Sequence, residues 1–198
     1  AARGEMLRRC RGRVKILPFA LAVTVITAAF FGASAALSFI DRRLHPIRYS
    51  VYVGYYSGVY GVPEEIVYTV ILTESRFQRD AVSRAGACGL MQLMPATYRE
   101  IAGRLGEDCD ESLIFDPTQN LRYGVYYLSY LYRYFGDYYT ALAAYNAGIG
   151  RVSGWVADSR YSSDGVTLHS IPIAETETYV RRIRDYEQTY TKILEKEG

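Results

Sequence analysis

The chain has 198 residues, 49% of them apolar and 22% charged, which is room for one packed domain plus an appendage and too apolar for a disordered chain. The formal charge of +2 hides an asymmetry: residues 1–15 hold Arg3, Arg8, Arg9, Arg11, Arg13 and Lys15 against Glu5, net +5, while the remainder holds 17 basic and 20 acidic groups, net −3. A domain of that sign carries no electrostatic footprint for nucleic acid, so none is expected as a partner.

Residues Ile16 to Ile40 contain no charged side chain. As a helix, 25 residues reach about 37 Å, enough to cross a hydrocarbon core of about 30 Å with some tilt. Two readings fit this run. One is an uncleaved single-pass anchor, oriented by the basic cluster before it so that the N-terminus is cytoplasmic. The other is a cleavable signal peptide, with Ala33-Ser34-Ala35 as a small-residue cleavage site. The run is longer than a usual signal core and continues past that site to Phe39 and Ile40, which favours the anchor. The expected organisation is therefore a basic cytoplasmic tail (1–15), a transmembrane anchor (16–40) and an extracytoplasmic domain (41–198), placed at the cell membrane.

Beyond His45 the signals are nearly all helical. Ile47 to Tyr60 reads as a Tyr-rich helix stopped by Gly61. Pro63 at the first helical position, with Glu64 and Glu65 at the positive dipole end, opens a second helix to about Arg76. Ser83 to Gly89 is loop-like. Pro95 starts a helix through Leu105, ended by Gly106. Asp116 and Pro117 read as N-cap and first residue of a longer helix to Phe135. Asp137 opens a helix carrying Ala141, Ala143, Ala144 and Ala147, broken by Gly148 and Gly150. Residues 153–170 form an excursion with a turn at Ser163-Asp164-Gly165. A last helix runs from about Glu175 into 192–196. With no alternating strand pattern, the fold class is all-α, compact, behind a single N-terminal transmembrane helix.

Among three cysteines, Cys10 falls in the tail, while Cys88 and Cys109 face an oxidising side either as a disulfide or as two separate thiols. His45 and His169 lack neighbouring Cys or acidic ligand spacing, so no metal is expected, and no phosphate-binding glycine loop or nucleophile elbow calls for a cofactor.

Glu74 is the residue that asks for an explanation. Ile71, Val70 and Ile66 lie three, four and eight positions earlier, which puts its carboxylate on the apolar stripe of the second helix. Burial disfavours the charged form and the helix C-terminus adds partial negative charge, so both raise its pKa toward what a general acid needs near neutrality. The structural alternative is an ion pair with Arg76 or Arg79.

Four blocks then carry a family likeness: Thr73-Glu74-Ser75, the run from Ser83 through Gly89-Leu90-Met91-Gln92-Leu93-Met94-Pro95, Ala143-Ala144-Tyr145-Asn146-Ala147-Gly148, and Ile171-Pro172-Ile173-Ala174-Glu175-Thr176 with Tyr179-Val180. Each alone is weak; four in order are specific, and they cover about residues 45–190. The chain resembles a membrane-bound lytic murein transglycosylase of the soluble-lytic-transglycosylase (SLT) type, with a goose-lysozyme-like helical fold. The resemblance implies cleavage of the β-1,4 bond between N-acetylmuramic acid and N-acetylglucosamine in peptidoglycan strands without water, leaving a 1,6-anhydro ring. It also implies Glu74 as sole acid/base, Ser83 against the carboxylate or the sugar, and Gln92 and Met94 lining the groove. Tyr145 and Asn146 are then placed beside the acid, and Glu175 is a second acidic residue across the groove. Cys88 fills a variable slot, and the 153–170 excursion lies outside the core motif.

The chemistry stands beside the likeness. A substrate N-acetyl group removes the need for a carboxylate nucleophile. Glu74, once ionised, is able to take the proton of the sugar's own 6-hydroxyl, whose attack is effectively unimolecular when the site excludes water. Without the likeness, Gln92 and Asn146 read as loop hydrogen-bonders and Tyr145 as a core tyrosine. Two rival functions remain: a hydrolytic muramidase using Glu175 or Asp116 as base, and a tethered glycan-binding module, which has no use for a buried Glu74.

Overall fold

The structure, a computed structural model, describes residues 20–36, 39 and 43–197. The chain divides into two units, 1–46 and 47–198.

In the first unit residues 20–36 are helical and exposed throughout, with apolar Leu21, Ile26, Phe30 and Phe31 all outward. Thr24 and Thr27 donate their hydroxyls back to the carbonyls of Ala20 and Val23 at 2.9 and 3.0 Å, so the helix satisfies its own polar side chains. The expected basic tail and the ends of the expected 16–40 span lie outside the described residues. Among the described residues no helix is long and apolar enough to cross a membrane.

The second unit holds seven α-helices among the described residues: α1 (Ser50–Tyr60), α2 (Glu64–Ser75), α3 (Pro95–Leu105), α4 (Pro117–Phe135), α5 (Tyr138–Ala147), α6 (Ile149–Val156) and α7 (Ala174–Glu197). A 3-10 turn, Glu111–Phe115, precedes α4. The capping residues read from sequence do the work expected of them. Asp116 accepts from the Gln119 amide at 2.9 Å, Asp137 from Thr140 at 2.7 Å, and Gly106 closes α3 in the left-handed region; Gly136, not singled out from the sequence, does the same for α4. Pro63 is the N-cap of α2 rather than its first residue, and α1 starts at Ser50. One expected break is absent. Gly150 lies inside α6, because Gly148 alone (φ 92°) turns the chain and a new helix starts at once. The turn at Asp164 is built as expected: its carboxylate accepts from the Val166 and Thr167 amides and the Thr167 hydroxyl, with Gly165 at φ 74°.

α2 is the central helix. Ile66, Val67, Tyr68, Thr69, Val70 and Ile71 are all buried, so it is surrounded on most sides and packs chiefly on α7 and α1. α4 packs against α1 and α5, and α5 against α6 and α7. Tyrosines fill much of this core; Tyr68 stacks on Tyr190 with ring centroids 5.3 Å apart. A second, smaller core gathers Leu93 from the loop before α3 with Tyr98, Ile101, Ile114 and Tyr123 from α3, the 3-10 turn and α4. Tyr127 and Tyr145 touch both cores. The interesting chemistry lies on that seam.

Candidate active site

Glu74 is the penultimate residue of α2, behind a fully buried stripe of Ile66, Val70 and Ile71. The helix stops abruptly after it. Arg76 (φ 51°) and Phe77 (φ 62°) are consecutive non-glycine residues in the left-handed region, a conformation that costs energy and is held here by burial of Phe77 against Tyr68. This reversal leaves Glu74 half-buried at the end of the helix.

Desolvation by burial raises the Glu74 pKa and the Tyr179 hydroxyl works against it, with a net value of about 7. That contact falls outside strict hydrogen-bond geometry. The ion-pair alternative is not realised: among the described residues no salt bridge involves Glu74. Tyr179 is buried and Tyr145 half-buried beside it. Burial first, then the Glu74 charge, pushes both phenols well above their ordinary pKa, so they stand as neutral hydroxyls facing the carboxyl. Tyr145 donates to the Met91 carbonyl at 2.8 Å, which fixes its ring.

The loop between α2 and α3 is fastened by backbone and amide bonds. Cys88 and Leu93 exchange both N–H···O bonds at 2.9 Å, and the Gly89 amide donates to the Ala81 carbonyl at 2.9 Å. Asn120 of α4, fully buried, accepts from the Met91 amide at 2.8 Å and donates to the carbonyls of Ile114 at 2.8 Å and Cys88 at 3.1 Å. Asn120 carries no motif of its own in the sequence; its sign is a polar residue on the buried face of α4, beside Leu121 and Gly124. Its partner position is sterically exclusive, since a Cβ at Gly89 (φ 80°) would sit 2.3 Å from the Asn120 amide nitrogen.

The sequence-predicted residues divide into three groups. Glu74 and Tyr145 come together, joined by Tyr179 from α7, which sequence reading placed only within a matching block. Gln92, itself left-handed at φ 48°, spends its amide hydrogens on the carbonyls of Gly89 (2.8 Å) and Ala81 (3.0 Å), so it braces the loop. Ser83 likewise caps its own turn, accepting from the Ala87 amide at 3.0 Å. Asn146 accepts from the Thr176 hydroxyl at 2.8 Å and ties α5 to the start of α7. Met94, exposed, caps α3, and Glu175 is exposed in the first turn of α7. Glu175 makes no contribution to the electrostatics of Glu74. Cys88 is a buried free thiol and Cys109 an exposed one.

The family model for the transglycosylase SLT domain matches residues 52–166, more than half of the chain. The chain belongs to the transglycosylase SLT domain family. The soluble lytic murein transglycosylase of Escherichia coli K12 is 33% identical over 149 residues, covering 73% of this chain and 23% of that protein. The membrane-bound lytic murein transglycosylase C of Pectobacterium atrosepticum is 28% identical over 179 residues, covering 77% of this chain and 49% of that protein. Among solved structures, an inactive mutant of the lytic transglycosylase Slt from Pseudomonas aeruginosa superposes with a TM-score of 0.68 at 31% identity, covering 76% of this chain and 25% of that one. The chain thus spans about a quarter to a half of the length of these relatives. The SLT match carries Glu74, the Gly89–Pro95 loop and Tyr145, but ends before α7, which supplies Tyr179.

Proposed function

We propose that this SLT domain is a peptidoglycan lytic transglycosylase that cleaves the β-1,4 bond between N-acetylmuramic acid and N-acetylglucosamine without water and leaves a 1,6-anhydro end. The observation that carries the reading is a half-buried Glu74, without a salt-bridge partner among the described residues, whose pKa desolvation raises to about 7. At neutral pH such a carboxyl is present in both protonation states, as a group that gives and then takes a proton requires. In the first step Glu74 protonates the leaving glycosidic oxygen while positive charge develops at the anomeric carbon. In the second, the new carboxylate removes the proton of the muramic acid 6-hydroxyl, whose oxygen closes on that carbon. Tyr179, which favours the charged form, steadies the carboxylate between the steps.

Tyr145 holds the wall of the site beside the acid, and the Gln92 carbonyl oxygen, left over after its amide hydrogens are used, serves as an acceptor toward an N-acetyl group. Ser83, Met94, Asn146 and Glu175 border the glycan, with Glu175 positioning substrate. The apolar run 16–40 is the membrane anchor, the 1–15 tail is cytoplasmic, and the 41–198 domain faces the cell wall outside the membrane. The exposed apolar helix at 20–36 and a relative named membrane-bound support this arrangement.

The test compares two isosteric variants. Glu74→Gln removes the proton chemistry at constant size, and loss of a general acid/base costs roughly 10²–10⁴-fold in turnover, with a sole one at the upper end. Glycan binding survives in this variant. Glu175→Gln lowers turnover mildly and leaves the product unchanged. Equal damage from both substitutions would instead favour a hydrolytic mechanism with Glu175 as base.

A further inference from the structure

α1 has no charged residue in its eleven positions, Ser50 to Tyr60, and is apolar on two opposite faces. Val53, Tyr56 and Ser57 are buried against the domain. Val51, Tyr52, Tyr55 and Val59 point the other way, exposed at 79%, 40%, 63% and 54%. At 100° per residue these four fall within one arc about 100° wide, the width of a buried helix stripe. A helix apolar all round is ordinarily covered on all sides, and among the described residues only one side of α1 is covered.

We propose that the Val51-Tyr52-Tyr55-Val59 face lies in the interfacial region of the lipid bilayer and lays the catalytic domain down on the membrane surface. The inference rests on the anchor proposed above. Val51 comes eleven residues after Ile40, the end of the apolar run, so a fully extended connection holds it within roughly 40 Å of the membrane. Tethering of that kind makes a small contact sufficient, because the local concentration of bilayer is already high. The chemistry suits the headgroup boundary: valines supply apolar area, and tyrosines place an apolar ring with a polar tip where both are solvated. Exposed Arg48, one turn before Val51, adds a cation toward anionic headgroups. A second copy of the chain fits less well. Four side chains fall well short of the 20–30 residues, roughly 800 Å² per partner, of a stable specific interface.

The experiment uses the full chain reconstituted into phosphatidylcholine–phosphatidylglycerol vesicles, with ordinary or brominated acyl chains. Tryptophan is introduced at the stripe (Tyr55→Trp) or at an exposed site on α7 (Gln188→Trp), and the signal of buried Trp155 is subtracted using the wild type. Both positions are exposed, so neither substitution disturbs the core. The expected result for Tyr55→Trp is emission shifted to shorter wavelength and loss of intensity in brominated lipid, with neither change for Gln188→Trp. Equal behaviour of the two variants in vesicle-bound protein overturns the bilayer contact while leaving the anchor intact. A shift that depends on the number of chains per vesicle, without quenching by brominated chains, assigns the face to a second copy and likewise overturns it. Recovery of the chain outside the vesicle fraction on flotation overturns the anchor and this contact together.

Discussion

At Glu74 two demands conflict: folding prefers the side chain neutral, and catalysis needs it to become charged. The site resolves this with a pKa of about 7, set by desolvation and moderated by Tyr179. Linkage turns the shift into a stability statement. The folded state holds its proton up to about pH 7, while an unfolded glutamate releases it near 4.5, so stability is highest below the unfolded value and is lost as pH rises through the folded one. At one pKa unit per 1.36 kcal/mol, the loss above pH 7 is roughly 3 kcal/mol. Glu74→Gln cannot titrate and escapes it. The variant is therefore expected to unfold at higher denaturant concentration than wild type at pH 8, and at nearly the same concentration at pH 4. Equal midpoints at pH 8 would mean that the carboxylate is solvated and the burial argument fails.

Between helices, the organising element is the 88–93 loop, held by Asn120 and in turn holding Tyr145 through the Met91 carbonyl. Asn120→Ala removes three hydrogen bonds: the Met91 amide and the Ile114 carbonyl lose the Asn120 side chain, and the Cys88 carbonyl keeps only the Leu93 amide. At about 1 kcal/mol per hydrogen bond and more for each group left buried and unmet, the cost is about 3 kcal/mol. A fall in turnover should accompany it, since the ring beside Glu74 loses its fixed support; thermal unfolding and turnover measured on one preparation check both. Helix positions were largely legible in the sequence because caps are local: Asp116-Pro117, Asp137 and Gly106 act within one turn of themselves. The Glu74 stripe was legible for the same reason. Tyr179 against Glu74, Asn120 under the loop and the amide of Gln92 turned onto Ala81 were not, because each depends on chain segments brought together only by packing. Gly150 misled for the converse reason. Glycine weakens a helix by about 1 kcal/mol but does not forbid one when α6 is held by buried Val152 and Trp155.

At the scale of the chain, the described structure holds a helical core within residues 47–197 and, earlier in the sequence, an exposed apolar helix at 20–36. Such a helix in water has nothing to gain from its apolar surface, whereas in a bilayer its threonines are already bonded to its own carbonyls. The proposed anchor predicts that a reporter fused after Gly198 is active only outside the cytoplasm and that membrane-fraction protein retains residues 1–15. Mature protein beginning near Ala36 would identify a cleaved leader and remove the anchor.

The proposed reaction breaks the glycosidic bond without water. The most direct measurement is mass analysis of the fragments released from purified peptidoglycan by the wild-type chain in heavy-oxygen water. Transglycosylation predicts 1,6-anhydro-N-acetylmuramic ends, lighter than reducing ends by one water and free of solvent oxygen. Reducing ends carrying the heavy isotope would contradict the account and make the enzyme a muramidase on the same fold.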